Sequence, residues 1–189
     1  MAFLSPHDPN WTSEFNELRT IFMQALGHLV LRVEHVGSTA IPDLLAKPIL
    51  DIDIVIEDYS VFPQVVSTLK ALGYEHRGNQ GIFEREVFKP TIATAPLAPA
   101  QKKWMPHHLY VCPASARELR RHICFRDTLL NRPDLRREYE AMKVSIAERA
   151  MGDRRRYADL KELECREFVG RVVELGEQNL RDSLPRDPP

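Results

Sequence analysis

The chain has 189 residues, 43% of them hydrophobic and 28% charged, with a formal net charge of −1. That is the composition of a soluble globular protein long enough for one well-buried core. It argues against a general binder of nucleic acid or anionic membrane, and no apolar run approaches the ~20 residues of a membrane span.

Residues 6–9, Pro-His-Asp-Pro, lack signal-peptide character. The cysteines Cys112, Cys124 and Cys165 form no C-x-x-C pair and read as small apolar side chains in a reducing compartment, so the expected location is cytoplasmic. Trp11, Phe15, Leu18, Phe22 and Leu26 recur every three or four residues, which predicts an amphipathic helix over 12–28 with Thr12 or Ser13 as its N-cap. Residues 30–36 alternate as a short strand, the Gly37-Ser38-Thr39 turn follows, and a loop through Pro42 and Pro48 leads into a strand over 49–56. Residues 61–72 predict a helix stopped by Gly73, and 82–89 a strand carrying Glu84 and Glu86 on one face. The prolines between 90 and 106 predict a loop, and 107–112 another strand.

From Pro113 onward the pattern turns helical. Ser115 with Glu118 suggests a capping box for a helix to about residue 130, and Pro133 suits the first turn of a helix to about residue 151. Asp153 suggests the cap of a last helix through Leu160, Leu163, Phe168, Val172 and Leu175. Residues 181–189, with three prolines, predict a disordered tail. The order implies an α/β (α+β) fold over residues 1–180 as a single domain. A small mixed sheet backed by helices would occupy about 10–112, and a helical annex about 113–180.

The chemistry concentrates on the strand over 49–56. Side chains alternate along a strand, so Asp51 and Asp53 share one side, roughly 6.7 Å apart. Ile52, Ile54 and Ile56 share the other, where a core could cover them. Paired anions repel unless a cation lies between them, and hard oxygen ligands suit Mg²⁺ or Mn²⁺. His35 is placed to fix the adjacent turn by hydrogen bonding. His107 and His108 face opposite sides of their strand, so at most one lines a site, and His108 is favoured. Tyr139 and Lys143, and Tyr157 and Lys161, pair at i, i+4, each on one helix face; packing of tyrosine under a lysine stem explains them as well as function does. Arg154, Arg155 and Arg156 read as a solvated charge run. A Ser38/His35/Asp51 hydrolase triad lacks the Gly-x-Ser-x-Gly elbow, leaves Asp53 unexplained and is rejected.

The pattern Gly37-Ser38, twelve residues, then Asp51-Ile52-Asp53-Ile54 resembles the signature of the DNA polymerase β-like nucleotidyltransferase superfamily. The words His35-Val36-Gly37-Ser38-Thr39-Ala40-Ile41-Pro42, Lys47-Pro48-Ile49-Leu50-Asp51-Ile52-Asp53, His108-Leu109 and Phe125-Arg126-Asp127 closely resemble the GrpB family over about residues 10–175. The resemblance implies a nucleotidyltransferase-like core. Gly37 and Ser38 would hold phosphates, Asp51 and Asp53 would hold two divalent ions, and Lys47 and Arg126 would grip phosphate. Glu86 would be the third acid, with His108 competing for that place; the family's late strand often reads His-Leu-His where this chain has His108-Leu109-Tyr110.

The expected activity is Mg²⁺- or Mn²⁺-dependent transfer of a nucleotidyl group from a nucleoside triphosphate to a small-molecule acceptor. One alternative keeps the fold but uses aminoacyl-tRNA for cyclodipeptide synthesis, with tRNA meeting the arginine run. Another is a non-catalytic module that binds a nucleotide or a CoA-like ligand.

Overall fold

Alternation with period two places one face of the central strand in oil and the other beside charge, and the architecture follows from that division. The structure is a computed structural model and describes residues 3–97 and 102–183. Helix α1 (Asn10–Leu26) precedes strands β1 (Arg32–Val36) and β2 (Leu50–Ile56). Helix α2 (Phe62–Ala71) then leads to β3 (Tyr74–His76), β4 (Glu86–Pro90) and β5 (His107–Pro113). Four helices follow among the described residues: α3 (Arg117–Asn131), α4 (Pro133–Arg149), α5 (Arg154–Glu164) and α6 (Arg166–Ser183). The sheet order is β1-β2-β5-β4-β3, with β2 and β5 parallel and every other pair antiparallel.

Ile52, Ile54 and Ile56 are fully buried among Phe15, Leu18 and Phe22 of α1, Val65 and Leu69 of α2, and Leu109 and Val111 of β5. The opposite face carries Val55 and Cys112 against Ala116 and Leu119 of α3. The sheet is therefore covered on both faces, by α1 and α2 on one and by α3 on the other. A second apolar cluster joins Ile41 and Leu44, in the loop before β2, to Phe125, Tyr139, Phe168 and Val172 of the annex. Gly176 of α6 has no room for a Cβ, which would fall 2.8 Å from Cys124 Cβ, so α6 lies close against α3. Arg126 of α3 donates to Glu34 Oε2 at 2.7 Å and to the His35 carbonyl at 2.9 Å, fastening the annex to β1.

Several sequence expectations need correction. The three-residue β3 has no counterpart among the predicted strands, being too short and polar to show a period. The strand expected over 82–89 begins at Glu86, because residues before it form a turn in which Glu84 has φ 59°. Ser115 and Glu118 form no capping box: Ala116 caps α3 without a side-chain bond, and Glu118 is drawn inward to His122 and Arg121. The last helix is two, broken at Cys165, so that Tyr157 and Lys161 face the loop and β2 while Phe168 and Val172 pack with α3. Asp153 does cap α5, accepting from the backbone of Arg155 and Arg156. Helix α6 continues through Ser183, past the expected start of the tail; the rest of that tail, 184–189, lies outside the described residues.

Ile54→Ala should destabilise the protein by about 2–5 kcal/mol. Leu163→Ala, at a side chain 66% exposed, should fall within about 0.5 kcal/mol of the parent. Chemical denaturation of both variants checks the division between core and surface.

Candidate active site

Strand β1 delivers the chain to Gly37, whose φ of 71° a side chain would resist. A single 3-10 turn, Ser38–Ala40, follows. His35 Nε2 meets Thr39 Oγ1 at 3.0 Å, and its ring stacks on Phe15 at 4.6 Å. Burial, reinforced by the charge of Arg126, pushes the His35 pKa down to about 4, so the imidazole is neutral and shapes the turn. Asp51, paired with Val36 across β1–β2, presses directly on this turn. A Cβ on residue 37 would lie 2.1 Å from Asp51 Oδ2, so glycine is required twice over, for backbone and for space.

Asp51 and Asp53 share a face with His108 and Tyr110, their partners on parallel β5. Their surroundings differ. Asp51 lines a cavity of about 800 Å³ together with Gly37, Ser38, Lys47 and His108. Burial raises its carboxyl pKa, opposed by the charges of His108, Lys161 and His122. Asp53 is completely buried beneath His122, whose Nδ1 lies 2.7 Å from Asp53 Oδ2. The other oxygen, Asp53 Oδ1, is buried and has no hydrogen-bond partner. His122 also approaches Glu118 at 3.4 Å. Burial alone would lower the His122 pKa, but its bonds to Asp53 and Glu118 prevail and lift it to about 10, so the ring is an imidazolium.

The annex supplies cations. Lys143 of α4, 1% exposed, donates to the Leu45 carbonyl and reaches Ser38 Oγ at 3.4 Å. Its Nζ lies 4.8 Å from the Tyr139 ring centroid. Burial, then the neighbouring charge of Lys161, lowers its pKa to about 7. Lys161 of α5 is shifted the other way, by Tyr139 foremost and by Tyr157 and Asp51, against its burial. Lys47 lies 4.2 Å from the Tyr157 ring centroid. All three lysines line the cavity beside Asp51.

Of the residues singled out by sequence, Gly37, Ser38, Lys47, Asp51 and His108 meet in one cavity, and Asp53 lies under its floor. Glu86 does not join them. It pairs with Val111, on the α2 side of the sheet, and accepts from His76 at 2.6 Å and Tyr59 at 3.3 Å. Arg126 is not at the cavity either, being committed to Glu34, His35 and Asp127. Arg154, Arg155 and Arg156 are exposed and do not line the cavity. His122 and Arg121 were missed: a helix pattern shows which side chains share a face but not which strand that face meets. Lys143 and Lys161 were visible only as helix-face pairs.

Among the described residues no group of three His, Cys, Asp or Glu side chains is assembled to hold a metal ion. The unpartnered Asp53 Oδ1 and the carboxylate of Asp51 nevertheless fit a hard divalent ion of the kind that takes one or two protein carboxylates and completes its shell with substrate phosphates and water.

The fold has solved counterparts. "Crystal structure of conserved protein GrpB from Enterococcus faecalis" aligns with a TM-score of 0.73 at 24% identity, covering 90% of this chain and 97% of that one. The Cid1 structure with the UTP analog UMPNPP aligns with a TM-score of 0.51 at 14% identity, covering 77% of this chain and 42% of that one. The fold is thus nucleotidyltransferase-like.

The GrpB protein family model matches residues 2–172, and the chain belongs to the GrpB family. A UPF0157 protein of Pseudomonas aeruginosa is 32% identical over 168 residues, 89% of this chain and 66% of that protein. A dephospho-CoA kinase of Mycolicibacterium paratuberculosis is 29% identical over 84% of this chain and 43% of its own length. The chain therefore spans less than half of that kinase. No helix among the described residues is long and apolar enough to cross a membrane.

Gly37→Ala should cost about 2 kcal/mol or more, from the left-handed backbone and the displaced carboxylate; thermal denaturation measures it. The His122 pKa is raised above its ordinary 6.5, so the stabilisation from its pairing is fully present below pH 6.5 and is lost as pH rises through about 10. The stability difference between the parent and His122→Gln should therefore shrink between neutral pH and the alkaline limit, as followed by denaturant titrations across that range.

Proposed function

We propose that this protein transfers a nucleotidyl group from a nucleoside triphosphate to a small-molecule hydroxyl or phosphate, assisted by Mg²⁺ or Mn²⁺. The observation that carries the reading is the contact between Asp51 and the Gly37-Ser38 turn at a cavity lined by three lysines. A turn of this kind receives phosphate through backbone N–H groups, and Lys47, Lys143 and Lys161 offset the negative charge of a triphosphate. Asp51 and Asp53 would hold the ion, which when bound polarises phosphoryl oxygens.

The acceptor oxygen bonds to the α-phosphorus as the bond to pyrophosphate breaks, and pyrophosphate leaves. His108, directly across from Asp51, takes the proton of a hydroxyl acceptor. Lys143 is suited to the donor side because an anion beside Ser38 gives its buried amine a reason to hold a proton.

A second reading is favoured by one observation. His122 occupies one oxygen of Asp53, and no third carboxylate stands on that face of β2 and β5, so the chain would bind a nucleotide or CoA-like phosphate without transferring it. The dephospho-CoA kinase relative accords with this.

Asp51→Asn should abolish metal-dependent nucleotide turnover, a loss of about a thousandfold, with little change in melting temperature. Lys143→Met should weaken triphosphate binding about 10–100-fold, the worth of a charge-assisted hydrogen bond. Pyrophosphate release and titration calorimetry measure the two effects. Nucleotide binding that persists in EDTA with no turnover of any triphosphate would instead favour the binding module.

A further inference from the structure

On the β5–β4 side of Asp51 stands a second pair of cations, Arg85 and Arg121, that donor binding leaves unused. Continuing across the same face of the sheet from β2, His108 and Tyr110 come from β5, and Arg85 comes from the residue just before β4. The Arg85 guanidinium lies over the Tyr110 ring, 4.7 Å from its centroid. Its Nε is buried and has no hydrogen-bond partner. A charged donor withdrawn from water without an acceptor is destabilising, so an anion is the partner this arrangement lacks.

One neighbour extends the positive surface and another borders it. Arg121 of α3 lines the cavity, its Nε 3.5 Å from Glu118, and His108 is exposed on the cavity wall. Glu118 is held below the usual carboxylate range by His122 foremost, then by Arg121 and Arg85, against its burial; its ion pairs go to His122 and Arg121, while Arg85 acts on it only through space.

The turn before Arg85 adds an apolar element. Ile82 lines the cavity, and the next residue, Phe83, is 79% exposed. The turn is held by Asn79 Oδ1 accepting from the Gly81 backbone at 2.9 Å. An aromatic ring left in water one residue from the cavity wall offers a face for a planar group to stack upon.

We propose that Arg85 and Arg121, on either side of His108, form a second anion subsite, separate from the lysines, that takes the phosphate or carboxylate of the acceptor, with Phe83 covering the acceptor's planar part. Naming the occupant as the acceptor rests on the nucleotidyl-transfer reading; the subsite itself does not. The substrate class is then a small aromatic or heteroaromatic anion rather than a neutral alcohol or a polymer.

Titration calorimetry on the full chain with Mn²⁺ and a nonhydrolysable triphosphate analogue tests it, using phenyl phosphate, benzoate and phenol as probes. Phenyl phosphate or benzoate should bind at least about tenfold more tightly than phenol, and the stronger of the two identifies the anion. Arg85→Met, which keeps an apolar stem over Tyr110, should weaken the anionic probe about tenfold or more and leave analogue binding within about twofold. Phe83→Ser, at an exposed position where folding is insensitive, should weaken it about 3–10-fold.

Equal binding of phenol, no binding of either anion, or unchanged affinity in both variants would overturn the proposal. So would a loss in Arg85→Met shared equally by the triphosphate analogue, which would assign Arg85 to the donor. Arg85-dependent binding of phenyl phosphate by a chain that binds no triphosphate would sustain the anion subsite and defeat the nucleotidyl-transfer reading.

Discussion

The structure depends on one close approach: the carboxylate of Asp51 lies where the side chain of residue 37 would otherwise be. Because β1 and β2 pair with Val36 opposite Asp51, any turn leaving β1 must pass over that carboxylate, and only glycine allows it to do so at contact distance. The turn in turn fixes Ser38 and the loop that crosses to Lys47. His35 locks it from below through Thr39, and Lys143 holds it from above through Ser38 and Leu45. A strand, a turn and helix α4 are thus made to meet around Ser38, beside that carboxylate.

The annex is what turns this meeting into a site. Its helices share an apolar core with Ile41 and Leu44 of the loop, so the same packing that stabilises them brings lysines beside aspartates. Withdrawing ammonium groups and carboxylates from water is destabilising even when opposite charges are close. The depressed Lys143 pKa, at about 7, and the raised Asp51 pKa record that cost, with burial the leading cause of each. A protein selected for stability alone would fill such a space with apolar side chains. Retaining charge of both signs around a cavity of about 800 Å³ accords with a ligand that itself carries both, a metal-bound polyphosphate.

What the sequence revealed and what it hid separate along physical lines. The isoleucines and aspartates of β2 were legible because side-chain period two assigns each to a face with no knowledge of the partner strand. The Gly37 turn was legible by its spacing to Asp51. Glu86 was misplaced because the alternation from Glu84 through Glu86 looks continuous, whereas the turn at Glu84 ends it and pairing with Val111 sets the face anew. Arg126 looked like a phosphate ligand within its motif, yet its partners, Glu34 and the His35 carbonyl, are about 90 residues distant in sequence. His122 over Asp53 and Arg85 over Tyr110 are likewise products of tertiary packing, which local periodicity does not encode. The break at Cys165 has no glycine or proline to announce it and follows from two helix faces meeting different neighbours.

The most direct test of the central claim is pulsed electron paramagnetic resonance of the full chain with Mn²⁺ and a nonhydrolysable triphosphate. If Asp51 and the Gly37-Ser38 turn gather a metal-bound nucleotide, a protein-bound Mn²⁺ signal distinct from that of free Mn²⁺-nucleotide will show phosphorus couplings, and replacing Asp51 with asparagine will return the spectrum to that of the free complex. A spectrum of free Mn²⁺-nucleotide identical with and without the protein, or a bound signal indifferent to that replacement, would contradict the account.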